Sequence, residues 1–139
     1  MIKELTIKQV EAGAHKMAKE LMSWNEPIPD FHTRYPNILE SCLLTPFGSF
    51  DGKDLYTGFE RKASVLFYLM IKNHPFQNGN KRIAVMSLLI FLYQNNRWIY
   101  ADEREFYNFA VWVASSPAEL KDVTIDAVFL FIKKHQGAL

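Results

Sequence analysis

One nine-residue stretch, His74-Pro75-Phe76-Gln77-Asn78-Gly79-Asn80-Lys81-Arg82, gathers an imidazole, a glycine, two asparagines and two adjacent cations. Those groups suit the transfer of a phosphoryl-type group to a hydroxyl. Such a transfer asks little covalent chemistry of a protein: a base for the hydroxyl proton, a cradle for phosphate charge, and usually Mg²⁺. His74 can be the base, because imidazole changes protonation near neutral pH. Gly79 lets the backbone approach a ligand closely. Asn80 and the free N–H groups at the start of a following helix can complete the cradle. Arg82 can grip phosphate oxygens with two parallel bonds, and Lys81 adds a looser point charge. Asn78 can offer a metal its carbonyl oxygen, without the negative charge that Mg²⁺ favours. Pro75 fixes the turn, and Phe76 is expected to point inward and pin the loop.

A loop of this kind needs rigid elements on both sides. Residues 83–93 are apolar or aromatic except for Ser87, which predicts a buried helix too short to cross a bilayer. Its positive dipole end and free N–H groups would face the loop. Upstream, Thr57 and Glu60 have capping-box spacing and predict a helix running to Asn73. Ala63, Leu66, Phe67, Met70 and Ile71 form its buried stripe, widened by Val65 and Leu69. His74-Pro75 ends it, since a residue before proline is pushed out of the α region. The motif is thus the loop between two central helices.

Further capping patterns mark the remaining helices. Thr6 with Gln9 opens the first, with Ile7, Val10, Ala14, Met17, Ala18, Leu21 and Met22 on one face. It ends before Asn25-Glu26-Pro27-Ile28-Pro29-Asp30, where two prolines forbid regular structure. A short helix over residues 36–44 is expected to turn Ile38, Leu39, Cys42 and Leu43 inward. Asp51-Gly52, between aromatic flanks in residues 47–56, is a two-residue hairpin signal. Residues 98–100 read as a brief extended crossing. Asp102 with Glu105 then caps a helix carrying Phe106, Phe109, Ala110 and Val113. Ser116-Pro117-Ala118-Glu119 reads as another cap, with proline at the first helical position. The last helix spans residues 123–134, with Val128, Phe129 and Ile132 inward, and Gly137 ends it. His15 reads as a packed or surface histidine, and His32 and His135 also lack companions at metal-ligand spacing.

The nine-residue stretch resembles the signature of the Fic/Doc (Fido) family, written HPFx[D/E]GN[G/K]R. Its six fixed residues would coincide by chance at roughly 1 in 10⁸ starting positions. Asn78 departs from the pattern, standing where the family carries an acid. The resemblance implies an all-α helical bundle with a small β-hairpin flap, one domain over residues 1–139. It also implies transfer from ATP, or another nucleoside triphosphate, with Mg²⁺, onto a hydroxyl of a protein substrate. His74 would be catalytic, Gly79, Asn80, Lys81 and Arg82 would bind phosphate, and Asn78 would be a weak metal ligand. In the family a hairpin flap upstream of the motif aligns the target segment, a role that falls here to Phe50, Asp51, Gly52 and Lys53.

Two reactions share the family scaffold. Lys81, the compact chain, and Leu55, Tyr56, Lys62 and Ala63 ahead of the motif resemble the death-on-curing (Doc) branch. Those proteins phosphorylate a target such as a translation factor and act as toxins. Pro75 and Gly79 instead resemble the AMP-transferring Fic branch. Fic proteins are often restrained by a helix of pattern [S/T]xxxE[G/N]. Ser115 and Glu119 have that spacing but Leu120 breaks it, so the resemblance implies a separate antitoxin chain. A catalytically weak or inactive binding module is a further reading, supported by Asn78.

Composition narrows the alternatives. The chain has 139 residues, 49% hydrophobic and 14% aromatic, which is enough for one well-packed globule. A net charge of +1 gives no electrostatic case for nucleic acid or a membrane as partner. A helix-turn-helix DNA reader would need a basic recognition helix, whereas the helix after Lys81-Arg82 is apolar. The single cysteine, Cys42, suits a reducing cytosol, and the first residues lack the apolar core of a signal peptide, so a cytoplasmic protein is expected.

Overall fold

The computed structural model describes residues 1–22 and 27–139. Helix α1 (residues 7–21) opens on the expected capping box, in which Thr6 accepts from the Gln9 backbone and Gln9 reaches back to Thr6. Its middle, Val10–His15, is π-helical. Val10, Ala14, Ala18 and Met22 are its buried aliphatic residues, spaced four apart. In a helix of 3.6 residues per turn such a stripe drifts round the axis, and the wider π turn takes up part of the drift. Leu21, expected on this face, is 66% exposed. Gly13 lets α1 come close to its neighbour, because a Cβ there would sit 2.8 Å from the Ile90 side chain.

Helix α2 is Pro36–Leu44, with proline in its first turn. Leu39, Cys42 and Leu43 are buried as expected, but Ile38 is not. A two-stranded ribbon follows, β1 (Ser49–Phe50) paired antiparallel with β2 (Lys53–Asp54). Asp51 and Gly52 between them have φ values of 53° and 76°, the left-handed pair that a type I′ turn requires.

Helix α3 is Phe59–Lys72 and α4 is Asn80–Gln94. They form the centre of the molecule, and Phe59 stacks on Phe91 at 5.1 Å. Helix α3 also packs on α6 (Lys121–His135), and α4 on α1 and α5 (Glu103–Ser115). The capping box expected at Thr57 and Glu60 does not form. Gly58, at φ 89°, is the cap instead, and the Glu60 carboxylate accepts from Gln136 at 2.8 Å and Arg97 at 3.3 Å.

The C-terminal third holds further corrections. Asp102 caps α5 as expected. Ser116 caps nothing ahead of it, because its hydroxyl donates back to the Val113 carbonyl. Pro117 stands just before a 3-10 turn, Ala118–Leu120, and α6 starts two residues earlier than expected, at Lys121. After His135 the chain becomes extended, where Gly137 had been expected only to end the helix. There β4 (Gln136–Ala138) pairs antiparallel with β3 (Arg97–Ile99), so the helical fold carries two small ribbons rather than one. A three-residue strand containing glycine leaves no periodic signal, and its partner lies about forty positions away. Among the described residues no helix is long and apolar enough to cross a membrane.

Glu60 ties α3 to that second ribbon, and its ionisation should show in acid. Burial alone would raise its pKa, but the Gln136 hydrogen bond and the Arg97 and Lys133 charges outweigh burial and hold it below the ordinary value. A depressed carboxylate pKa stabilises the fold above the unfolded-state pKa, and the gain is lost as pH falls through the folded-state value. Glu60→Gln should therefore cost about 1 kcal/mol at pH 7. In urea unfolding at a series of pH values, the gap between parent and variant should close as the carboxylate protonates.

Candidate active site

Seven residues separate the last turn of α3 from the first turn of α4. His74 takes φ 50°, a conformation costly for a side chain with a Cβ, and its ring is exposed. Pro75 is anchored from outside the loop, since its carbonyl accepts from the Tyr35 backbone at 2.9 Å. Phe76 points inward, as its sequence context implied. It is 3% exposed and packs on His15 and Phe31 at centroid distances of 5.6 and 5.9 Å. His15, in turn, is buried with its Nε2 2.8 Å from the Pro29 carbonyl.

Asn80 closes the loop. Its Oδ1 accepts from the Phe76 backbone N–H at 2.9 Å, and its Nδ2 donates to the Phe76 carbonyl at 2.8 Å. Those two bonds fix which end of the amide is which. The same Nδ2 lies 3.5 Å from His74 Nδ1. A neutral His74 in this arrangement therefore presents a lone pair at Nδ1 and carries its proton on Nε2. The Asn80 amide thus braces the loop.

Gly79 is the N-cap of α4, at φ 79°. It brings no side chain to occupy the first N–H groups of the helix. A Cβ at this position would lie 2.7 Å from Ile28 Cγ1 and 3.5 Å from Arg82 Nη2. Ile28 is itself 4% exposed, so residue 79 is held between the crossing segment above it and the guanidinium below. Asn78 Nδ2 donates to the Pro27 carbonyl at 3.3 Å. The sequence had no pattern by which to find Pro27, Ile28, Pro29 or Tyr35 as supports of the motif. They are loop residues with no periodicity, brought in by tertiary packing.

The two cations part company. Lys81 is half-buried and Arg82 only 3% exposed. Arg82 Nη1 donates to the Met22 carbonyl at 3.0 Å, next to the C-terminal end of α1. The hairpin residues Phe50, Asp51, Gly52 and Lys53 are exposed. Their ribbon is fastened to α3 by the buried Lys62, which donates to Asp54 Oδ2 at 3.0 Å and to the Tyr56 carbonyl. Helix α3 thus carries the hairpin near its start and the loop at its end. A mostly apolar concavity of about 370 Å³, lined by Leu21, Met22, Val85, Met86, Leu89 and Phe106 among others, adjoins the Met22 end of α1.

The donor set limits the metal that could be held. Among the described residues no three His, Cys, Asp or Glu side chains cluster as a metal site. Asn78 supplies a neutral amide only. The residues fit a Mg²⁺ that arrives already bound to phosphates, rather than one held by the protein alone.

No curated protein and no solved structure matches the chain. Residues 4–92 match the Fic/DOC family, a stretch that takes in α1, α2, the first ribbon, α3, the motif loop and nearly all of α4. That match covers well over half of the chain, and the protein belongs to the Fic/DOC family.

Proposed function

We propose that the chain phosphorylates a hydroxyl of a target protein, using a nucleoside triphosphate, and acts as the toxin of a toxin–antitoxin pair. The observation that carries this reading is the junction itself: a glycine-capped helix N-terminus, with Lys81 in its first turn, beside an exposed histidine in a strained backbone conformation. Family membership supports protein modification by a nucleotide-derived group. Lys81 and the Doc-like residues ahead of the motif favour phosphate over AMP. Pro75 and Gly79 favour AMP transfer, which is the second reading.

In the phosphoryl reading the target hydroxyl oxygen attacks the γ-phosphorus and gives its proton to His74. The bond from γ-phosphorus to the bridging oxygen breaks, and the nucleoside diphosphate leaves. The amide N–H groups following Gly79, with Lys81, hold the phosphate oxygens. In the tautomer favoured by the Asn80 contact Nε2 carries the proton, so His74 must release that contact and hold its proton on Nδ1 before Nε2 can accept. At 3.5 Å it is a long contact that an exposed residue can give up. Bound Mg²⁺ would supply charge neutralisation on the phosphates, with Asn78 adding one neutral oxygen. The first ribbon would register the target by backbone pairing at Phe50–Lys53. A translation factor in the cytoplasm is the proposed target class, and an acidic antitoxin helix the proposed restraint.

Intact-mass analysis of host proteins after incubation with ATP and Mg²⁺ tests the reading: a gain of one phosphate supports it, a gain of AMP favours the second reading, and no modification defeats both. His74→Ala should lower the rate by about 10²–10⁴-fold with nucleotide affinity nearly unchanged; equal rates would remove the base assignment. Asn78→Asp should lower the Mg²⁺ concentration needed for half-maximal rate, and identical titrations would show that residue 78 does not touch the metal. Gly52→Pro cannot keep the positive φ of the turn, so it should abolish protein modification while ATP still binds.

A further inference from the structure

We infer that Arg82 is a positioning residue that fastens the end of α1, at Met22 where the chain sets out toward α2, onto the motif loop, and that the phosphate-facing charge is left to Lys81. The inference deepens the nucleotide reading above, but its physical basis does not depend on it.

Met22 and the described residues that follow it make a series of contacts with the loop and with the residues that support it. At one end Arg82 Nη1 donates to the Met22 carbonyl at 3.0 Å. Further along, Asn78 Nδ2 donates to the Pro27 carbonyl at 3.3 Å, and Ile28 Cγ1 lies 2.7 Å from where a Cβ at Gly79 would stand. Beyond these, the Pro29 carbonyl meets His15 Nε2 at 2.8 Å, and Phe31 packs on Phe76. Residues 27–31 therefore form one wall of the loop over which phosphate would lie. The groups it offers at Pro27 and Ile28 are a backbone carbonyl and a branched aliphatic side chain, neither of which carries charge. Arg82 supplies the charged bond, from a residue only 3% exposed.

Burial favours one of the two roles open to this guanidinium. A clamp for a diffusing phosphate is better served by donors already open to solvent. Arg82 instead spends Nη1 on a backbone carbonyl, with Nη2 lying 3.5 Å from where a Cβ on Gly79 would stand. A charge-assisted bond to a buried carbonyl is among the stronger hydrogen bonds a protein makes, and moving Arg82 to a ligand would leave that carbonyl without it. Lys81 follows the same helix start and keeps part of its surface. It can reach a ligand without breaking the wall.

The test compares amide hydrogen exchange and ATP affinity in the full chain, for the parent, Arg82→Met, Arg82→Lys and Lys81→Met. Fastening by Arg82 predicts that Arg82→Met, without nucleotide, speeds exchange about tenfold or more in peptides covering residues 27–35 and 74–80. Arg82→Lys retains a donor for Met22, so its exchange and its ATP affinity should both stay within about threefold of the parent. Lys81→Met should weaken ATP binding and leave exchange at the parent level. The inference is overturned if Arg82→Met leaves exchange unchanged while weakening ATP binding, or if Arg82→Lys loses ATP affinity tenfold with parent-like exchange. Either result would make Arg82 a direct clamp. Should Arg82→Met fail to fold, Arg82→Lys still separates the roles. A parent that binds no ATP would defeat the nucleotide reading, and the exchange comparison would still decide the fastening.

Discussion

Stopping one buried helix and starting another within seven residues leaves the intervening backbone with donors and acceptors that need partners. The Asn80 side chain meets that constraint. Its single amide satisfies both the N–H and the carbonyl of Phe76, closing a ring of chain between residues 76 and 80. With the loop closed, Phe76 can be buried against His15 and Phe31, and His74 is held in the left-handed region above it. Gly79 can then turn at positive φ, so that α4 begins with its N–H groups clear of any cap side chain. Each later feature of the site depends on that closure. An aspartate in place of Asn80 could accept from the Phe76 N–H but could not donate to its carbonyl.

Charge is distributed so that the buried and exposed members of the motif differ in role. Arg82 and Asn80 are withdrawn and bonded to backbone, whereas His74 is exposed and Lys81 half-buried. The frame that holds them is apolar: α3 is buried on nearly every side, and α4 along most of its length. A rigid pair of helices with a hydrogen-bonded loop between them is the kind of support that keeps a reacting group within a fraction of an ångström of its working place. The hairpin shares that frame through Lys62, so a segment laid along Phe50–Lys53 would be referenced to the same helix that ends beside His74.

Much of this was legible in the sequence because it rests on local rules. The Thr6–Gln9 box, the Asp51-Gly52 turn, the bounds of α2 and the Asp102 cap are each written in residues within a few positions of one another. The motif itself was legible by its resemblance to the family, and the family match supports it over residues 4–92. The errors lie where distant packing outbid a local pattern. Glu60 had the spacing of a capping box, but Arg97 and Gln136 offered its carboxylate better partners. Leu21 and Ile38 fitted an apolar stripe and face outward. The π turn in α1 and the strand β4 carry no periodic signature. Arg82 shows the limit most clearly: the sequence shows a cation three residues after a glycine, and only the fold shows that it lies inward, bonded to Met22.

The central claim is that the junction between the motif loop and α4 is where a nucleotide's phosphates bind. Backbone amide chemical shifts of the ¹⁵N-labelled chain, followed through a titration with ATP and Mg²⁺, test it most directly. The account predicts saturable shifts concentrated at Gly79, Asn80, Lys81 and Arg82, with smaller ones at His74 and Phe76. Shifts centred instead on the cleft at Asp102, Glu103 and Tyr107, or no saturable shift at the junction, would contradict it.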